Sequence, residues 1–265
     1  MKKRLLLMNI FLVAILLIGS SIYFFKMKVS NHKAIEAVTV QILPERTQLI
    51  ERKRVNIIGL GDSLTVGVGD PSSQGYIGIV KEKLEMKNVI TVHLKNEAKK
   101  GLRSEQLVKK LKKKKLREDV KEADVIFLSL GGNDIMNVFK NHFFHLNVHL
   151  FEKQSEDFAS NLKQIMHLIR KENTDVPVVM IGLFNPYFTY FSEIVEINQI
   201  IHIWNTESKE VLSQFNDAYF VEIDSIFSND NDVLLHEDNF HPNREGYERI
   251  AETVMKELHE QQIIR

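Results

Sequence analysis

The 265-residue sequence predicts an α/β domain built on a five-stranded parallel sheet with helices on both faces, preceded by an apolar N-terminal segment. Three observations carry this expectation. Short uninterrupted apolar runs recur along the chain, as strands buried on both faces require. Stretches with apolar residues at helical spacing separate the runs, the alternation of a parallel α/β sheet. Glycines or small polar clusters follow several runs, and in such sheets sites form beyond the carboxyl ends of the strands.

The first element lies outside the domain. Met1-Lys2-Lys3-Arg4 is a basic cap, and Leu5 to Phe25 follows without a charge. At a helical rise this segment spans about 30 Å, the thickness of a bilayer core. The cap favours an inside N-terminus and an outside bulk. Gly19-Ser20-Ser21 is followed by bulky Ile22-Tyr23-Phe24-Phe25, with no A-x-A pattern, which favours an uncleaved anchor over a signal peptide. Residues 1–25 are therefore read as a transmembrane anchor or signal segment, 26–54 as a polar stalk and 55–265 as one domain. This places the domain outside the cell membrane on a single span, or secreted if the segment is cut.

Val55 to Gly61 is the first expected strand, ending in glycines. Val89 to Leu94, Val125 to Leu130, Val176 to Phe184 and Tyr219 to Ile223 are the next four. Helical stripes lie between and after them: Tyr76 to Leu84; Leu107, Val108 and Leu111; Phe158, Leu162, Ile165, Met166 and Ile169. A longer one runs from Ile197 through Trp204 to Phe215, and Tyr247, Ile250, Ala251, Val254 and Leu258 close the chain. No internal repeat or second domain is visible.

Composition narrows the chemistry. The chain has no cysteine, which excludes disulfides, thiolate zinc sites, a cysteine nucleophile and a lipidated cysteine. Net charge is zero, so no global field points to nucleic acid. Charge is nonetheless uneven: Lys95 to Lys121 carries 12 basic and 4 acidic residues, whereas Glu222 to Glu260 carries 11 acidic and 3 basic. Solvated helix faces account for this more simply than an anion-binding edge at Lys112 to Lys115.

Four short blocks carry the functional signal. In Gly61-Asp62-Ser63-Leu64 a serine follows a buried strand directly, where its N–H can serve an anion at a helix start. Gly101 lets backbone approach a substrate closely. Gly131-Gly132-Asn133-Asp134 follows the third strand, and the Asn133 amide is a donor. In Asp238-Asn239-Phe240-His241-Pro242, a spacing of three lets a tight turn bring carboxylate and imidazole together, the logic of a triad. These blocks resemble the GDSL hydrolases, also called the SGNH family, over about Val55 to Leu258. The N-terminal segment resembles the anchored Gram-positive subgroup. The resemblance implies a three-layer, flavodoxin-like fold. It implies Ser63 as nucleophile, His241 as base, Asp238 as its orienting acid, and the Ser63 N–H, Gly101 N–H and Asn133 amide as oxyanion hole. It implies ester hydrolysis with no metal and no cofactor. A serine hydroxyl needs a base to become a nucleophile, and His is the usual one. Departures from the pattern are the bulky Lys99-Lys100 before Gly101 and an apparent insertion after Asn133.

Several of these residues admit other readings. Gly59-Leu60-Gly61 begins like a dinucleotide fingerprint, but Leu64 fills its third glycine position. His236 is a rival base without an Asp three residues before it. Asp134 reads as a loop-holding group and Asp62 as one that orients the Ser63 turn. His142, His145 and His149 have a spacing that one helix face could align, a metal-like pattern; a surface helix or loop is the simpler reading. Aromatics there, including Phe143, and those of the Phe184-to-Phe191 stretch, including Tyr187, are candidate walls of an acyl pocket; core packing is an equal reading for the second set. The expected substrate is a lipid or short acyl ester. An acetyl ester on a cell-surface carbohydrate polymer is the alternative. A binding protein that has lost catalysis is the alternative of a different class. A nucleic-acid partner is not expected, and the sequence does not define an oligomeric state.

Overall fold

A computed structural model describes residues 53–87, 90–142, 147–188 and 195–263. The expected anchor and stalk up to residue 52, and Phe143 and His145, lie outside these residues. Among the described residues no helix is long and apolar enough to cross a membrane.

The strands are β1 (Lys53–Gly61), β2 (Ile90–Asn96), β3 (Val125–Ser129), β4 (Val178–Ile181) and β5 (Ala218–Val221). They form one sheet, all parallel, in the order β2-β1-β3-β4-β5. Helices α1 (Ser63–Val66) and α2 (Gly75–Lys87) lead from β1 to β2, and α3 (Ser104–Leu111) and α4 (Lys114–Lys121) from β2 to β3. Between β3 and β4 lie α5 (Gly132–His142) and α6 (Val148–Glu172). Helix α7 (Val195–Leu212) leads to β5, and α8 (Asp224–Leu234) and α9 (Arg244–Glu260) follow it. This is the doubly wound order of the flavodoxin-like fold. The chain leaves β1 toward one edge and returns to β3 on the other side, which opens a crevice where β1 and β3 end.

Strand side chains alternate between faces and so divide the core in two. Ile58, Leu60, Ile126, Leu128, Val178 and Met180 pack on one face with Leu107, Leu162 and Trp204. Val55, Ile57, Val125, Phe127, Val179 and Ile181 pack on the other with Tyr76, Phe227 and Tyr247. Every residue of β3 is buried, which is why it reads as an unbroken apolar run. Each fully buried Leu, Ile or Phe contributes about 1.5–3 kcal/mol, so this stack holds the strand ends in place. The Trp204 ring stacks on Phe158 with centroids 4.8 Å apart.

Local departures have local causes. Strand β4 is shorter than its apolar run. Pro177 has no N–H to give the sheet at one end. At the other, the Asn205 side chain replaces a neighbouring strand: it accepts from Leu183 N at 2.8 Å and donates to Leu183 O at 2.9 Å. Helices α4 and α8 escape the periodicity because they are short and polar; α4 buries only Leu116 and Val120. The histidine segment is not one helix: His142 ends α5 and His149 belongs to α6, capped by Asn147. A single face carrying both residues is thus excluded. His149 lies 3.3 Å from Glu152.

Candidate active site

Ser63 owes its position to a turn that only glycine permits. Gly61 has φ +126°, and a Cβ there would lie 2.1 Å from the Ser129 carbonyl oxygen of β3. The chain therefore bends hard against β3 and starts α1 at Ser63. Asp62 caps that helix by accepting from Leu64 N at 3.1 Å, and it accepts from the Ser129 hydroxyl at 2.6 Å. Burial raises the Asp62 pKa, against the opposing effect of these hydrogen bonds. Thr65 extends the network to Ser129 and Tyr76, each at 2.8 Å. Ser63 is thereby held on a packed floor, itself only 8% exposed.

The histidine comes from the far end of the chain. Asp238 Oδ1 accepts from the N–H groups of Phe240 and His241 at 3.1 and 3.0 Å, closing a tight turn through Asn239 at φ +52°. The turn brings Asp238 Oδ2 to 2.7 Å from His241 Nδ1, and His241 Nε2 stands 2.9 Å from Ser63 Oγ. Burial would raise the Asp238 pKa, but the hydrogen bonds and charge of His241 outweigh it and hold the carboxyl down at about 2. An ionised carboxylate only accepts, so the proton of a neutral imidazole sits on Nδ1. Nε2 then faces the serine hydroxyl as acceptor. His236 takes no part in that contact: its Nδ1 accepts from Asp238 N at 3.4 Å.

The other two blocks gather at the same rim. Lys99 N donates to Gly61 O at 2.9 Å, which lays the Gly101 loop along the Ser63 turn. Gly101 has φ +78°, a backbone that favours glycine. Asn133, in the first turn of α5, donates its amide to Leu102 O at 3.2 Å and so ties the two blocks together. Beside it, Asp134 accepts from Ser104 N at 3.1 Å and Ser104 Oγ at 2.6 Å. Burial pushes the Asp134 pKa up to about 6 despite the Ser104 hydrogen bonds.

Residues 60–249, most of the chain, match the model of the GDSL-like Lipase/Acylhydrolase family. The chain belongs to that family. It is similar to the uncharacterized protein YpmR of Bacillus subtilis (strain 168), at 36% identity over 210 residues that cover 78% of this chain and 82% of that protein. It is also similar to the spore germination lipase LipC of Bacillus licheniformis, at 28% identity over 198 residues, 73% of this chain and 91% of that one. Among solved structures, the lipase Lip_vut3 from a goat rumen metagenome superimposes with a TM-score of 0.70 at 26% identity, covering 76% of this chain and 96% of that chain. The protein is a carboxylic ester hydrolase.

Around this GDSL-family site the two described aromatic candidates part company. Phe184 stacks on the buried Phe227 with centroids 3.9 Å apart and belongs to the second core layer. Tyr187 lies 6.4 Å from Phe240, whose ring meets that of His241 edge-on at 5.0 Å. Beyond Asp134 opens a polar cleft of about 330 Å³, walled by Arg103, Asn137, Gln154, Asp157 and Asn161.

Sequence reasoning missed the supports of this GDSL-family site. Ser129 and Thr65 look like ordinary strand and helix residues; only the fold shows them under the Ser63 turn. Asp70 was missed too, although an Asp two before a Ser is a local turn signal: Asp70 accepts from Ser72 N at 3.0 Å.

Proposed function

We propose that the protein hydrolyses lipid or short acyl esters through an acyl-Ser63 intermediate, with His241 as general base and Asp238 as its orienting acid. The observation that carries this is the unbroken line Asp238–His241–Ser63, at 2.7 and 2.9 Å. In the reaction, Ser63 Oγ attacks the acyl carbon and its proton passes to His241 Nε2. Asp238 stabilises the imidazolium without taking the proton. The Ser63 N–H, Gly101 N–H and Asn133 amide receive the oxyanion. Collapse sends the His241 proton to the leaving alcohol, and water then attacks the acyl-enzyme with His241 again as base.

The test combines a probe and a panel on the full chain in detergent. A fluorophosphonate labels wild type and spares Ser63→Ala. Labelling of Ser63→Ala at the wild-type rate refutes the assignment. Hydrolysis of octanoyl and lysophospholipid esters above acetyl esters supports the lipid reading.

A second reading, an O-acetyl esterase acting on surface carbohydrate, is favoured by the cleft beyond Asp134. Its amides, carboxylates and guanidinium suit a polyhydroxy alcohol better than an acyl chain. Acetylated saccharides turning over faster than octanoyl esters select it. Residues 5–25 would hold the enzyme at the outer face of the membrane, a reading supported by their length and basic cap. Mass spectrometry of the mature N-terminus tests it, and a cleaved terminus refutes the anchor.

A further inference from the structure

Ser63 and His241 stand 178 residues apart, and one hydrogen bond between them cannot set their distance. The segments that carry them are joined elsewhere. The loop after α1 begins directly at the nucleophile: Gly67 N and Val68 N both donate to Ser63 O at 3.1 Å. It then closes on itself. Gly67 sits so near Gly75 that a Cβ on it would meet Gly75 N at 2.6 Å. At the centre of the loop is Asp70, whose side chain is fully buried. Its carboxylate accepts from Ser72 N at 3.0 Å, Ser72 Oγ at 2.7 Å, Gln74 N at 3.2 Å and Gly75 N at 2.9 Å.

The far side of the loop faces the histidine segment. Arg244, three residues after His241, brings a guanidinium nitrogen to 3.5 Å from Asp70 Oδ2. The same nitrogen donates to Ser72 Oγ at 3.1 Å and Gln74 Oε1 at 3.2 Å. Gly69 lies against the histidine segment so closely that a Cβ would stand 2.4 Å from Pro242 O and 3.1 Å from His241 Cβ. One turn into α9, Tyr247 donates its hydroxyl to Val68 O at 2.8 Å.

We propose that Asp70 and Arg244 form an ionic latch that sets the distance from Ser63 Oγ to His241 Nε2, making both of them positioning residues for ester hydrolysis. The inference rests on the reading of Ser63 and His241 as the catalytic pair. Asp70 folds the nucleophile loop into a rigid knot, and Arg244 pins the histidine turn to its rim. A buried carboxylate with one guanidinium partner is costly to leave unpaired, so the two act as a unit. Misplacing reacting groups by about 1 Å can cost about 100-fold in rate.

The experiment compares the full-length enzyme with Asp70→Asn, Arg244→Gln, Arg244→Lys and the double variant Asp70→Asn/Arg244→Gln, using p-nitrophenyl butyrate. Asp70→Asn and Arg244→Gln each lower kcat by about 10- to 100-fold with KM within about twofold, because the serine and imidazole, not the ester, are displaced. The double variant is no worse than the poorer single one, the signature of a pair. Arg244→Lys recovers part of the loss, and fluorophosphonate labelling slows in step with kcat. If Asp70→Asn does not fold, the partly exposed Arg244 decides through its Gln and Lys variants. A kcat within twofold of wild type for Arg244→Gln overturns the latch, as do losses that multiply in the double variant or appear in KM instead. Ser63→Ala and His241→Ala run alongside. Inactive controls beside fully active latch variants mean that only the latch fails, whereas active controls remove the catalytic assignment itself.

Discussion

Replacing Asp134 by Asn should stabilise the protein at neutral pH and do little in mild acid. The carboxylate is held between Ser104 N and Ser104 Oγ, and burial raises its pKa from 3.8 to about 6. A carboxyl whose folded pKa lies above its unfolded value binds protons more tightly when folded. Stability therefore declines as pH climbs from about 4 to 6, and the full cost is present above that range. At about 1.4 kcal/mol per unit, this shift corresponds to at most about 3 kcal/mol; partial solvent contact at Asp134 lowers it toward 1–2 kcal/mol. Asn keeps an acceptor for Ser104 N and never ionises. Urea unfolding of both proteins at pH 4.5 and pH 7.5 reads the difference. The variant's advantage should grow by about 0.5–2 kcal/mol between those two conditions, because part of the cost is already present at pH 4.5. A difference that is the same at both, or that favours wild type more at pH 7.5, refutes the assignment of a carboxyl whose pKa desolvation raises.

Three further expectations follow from the same geometry. Gly61→Ala drives a methyl into the Ser129 carbonyl at a positive φ, so it should cost about 3 kcal/mol or more and reduce Ser63 labelling; an unchanged melting temperature contradicts this. Asn133→Ala should lower kcat by about 100- to 1000-fold with a smaller change in KM, and unchanged turnover removes Asn133 from the oxyanion hole. Asp238→Asn leaves His241 without the acceptor that fixes its tautomer, so kcat should fall by about 100- to 10,000-fold; activity within threefold of wild type would show that Asp238 does not orient the base.

Much of the site was legible because its demands are local. Gly61, Asp62 and Ser63 are adjacent, and a helix start after a strand needs a cap and a glycine where the backbone turns left-handed. Asp238 and His241 share one tight turn, so their spacing alone permits the pairing. The five apolar runs were equally visible, since strands buried on both faces leave no room for polar residues. Strand ends were less so. Val176 and Phe184 bracket an apolar run, but Pro177 and the amide of Asn205 decide where pairing stops, and Asn205 lies far along the chain. The aromatic wall shows the same limit: Phe184 and Tyr187 are near neighbours in sequence, yet one packs in the core and the other lies beside the histidine turn.

What the sequence determined by itself was the alternation of strand and helix and the residue types of the candidate site, because periodicity and turn chemistry act over a few residues. The strand order and the distance between Ser63 and His241 came only with the tertiary structure. Those depend on which faces pack together and on contacts such as Asp70 with Arg244, made between residues whose types, read one at a time, describe only a turn and an exposed helix end.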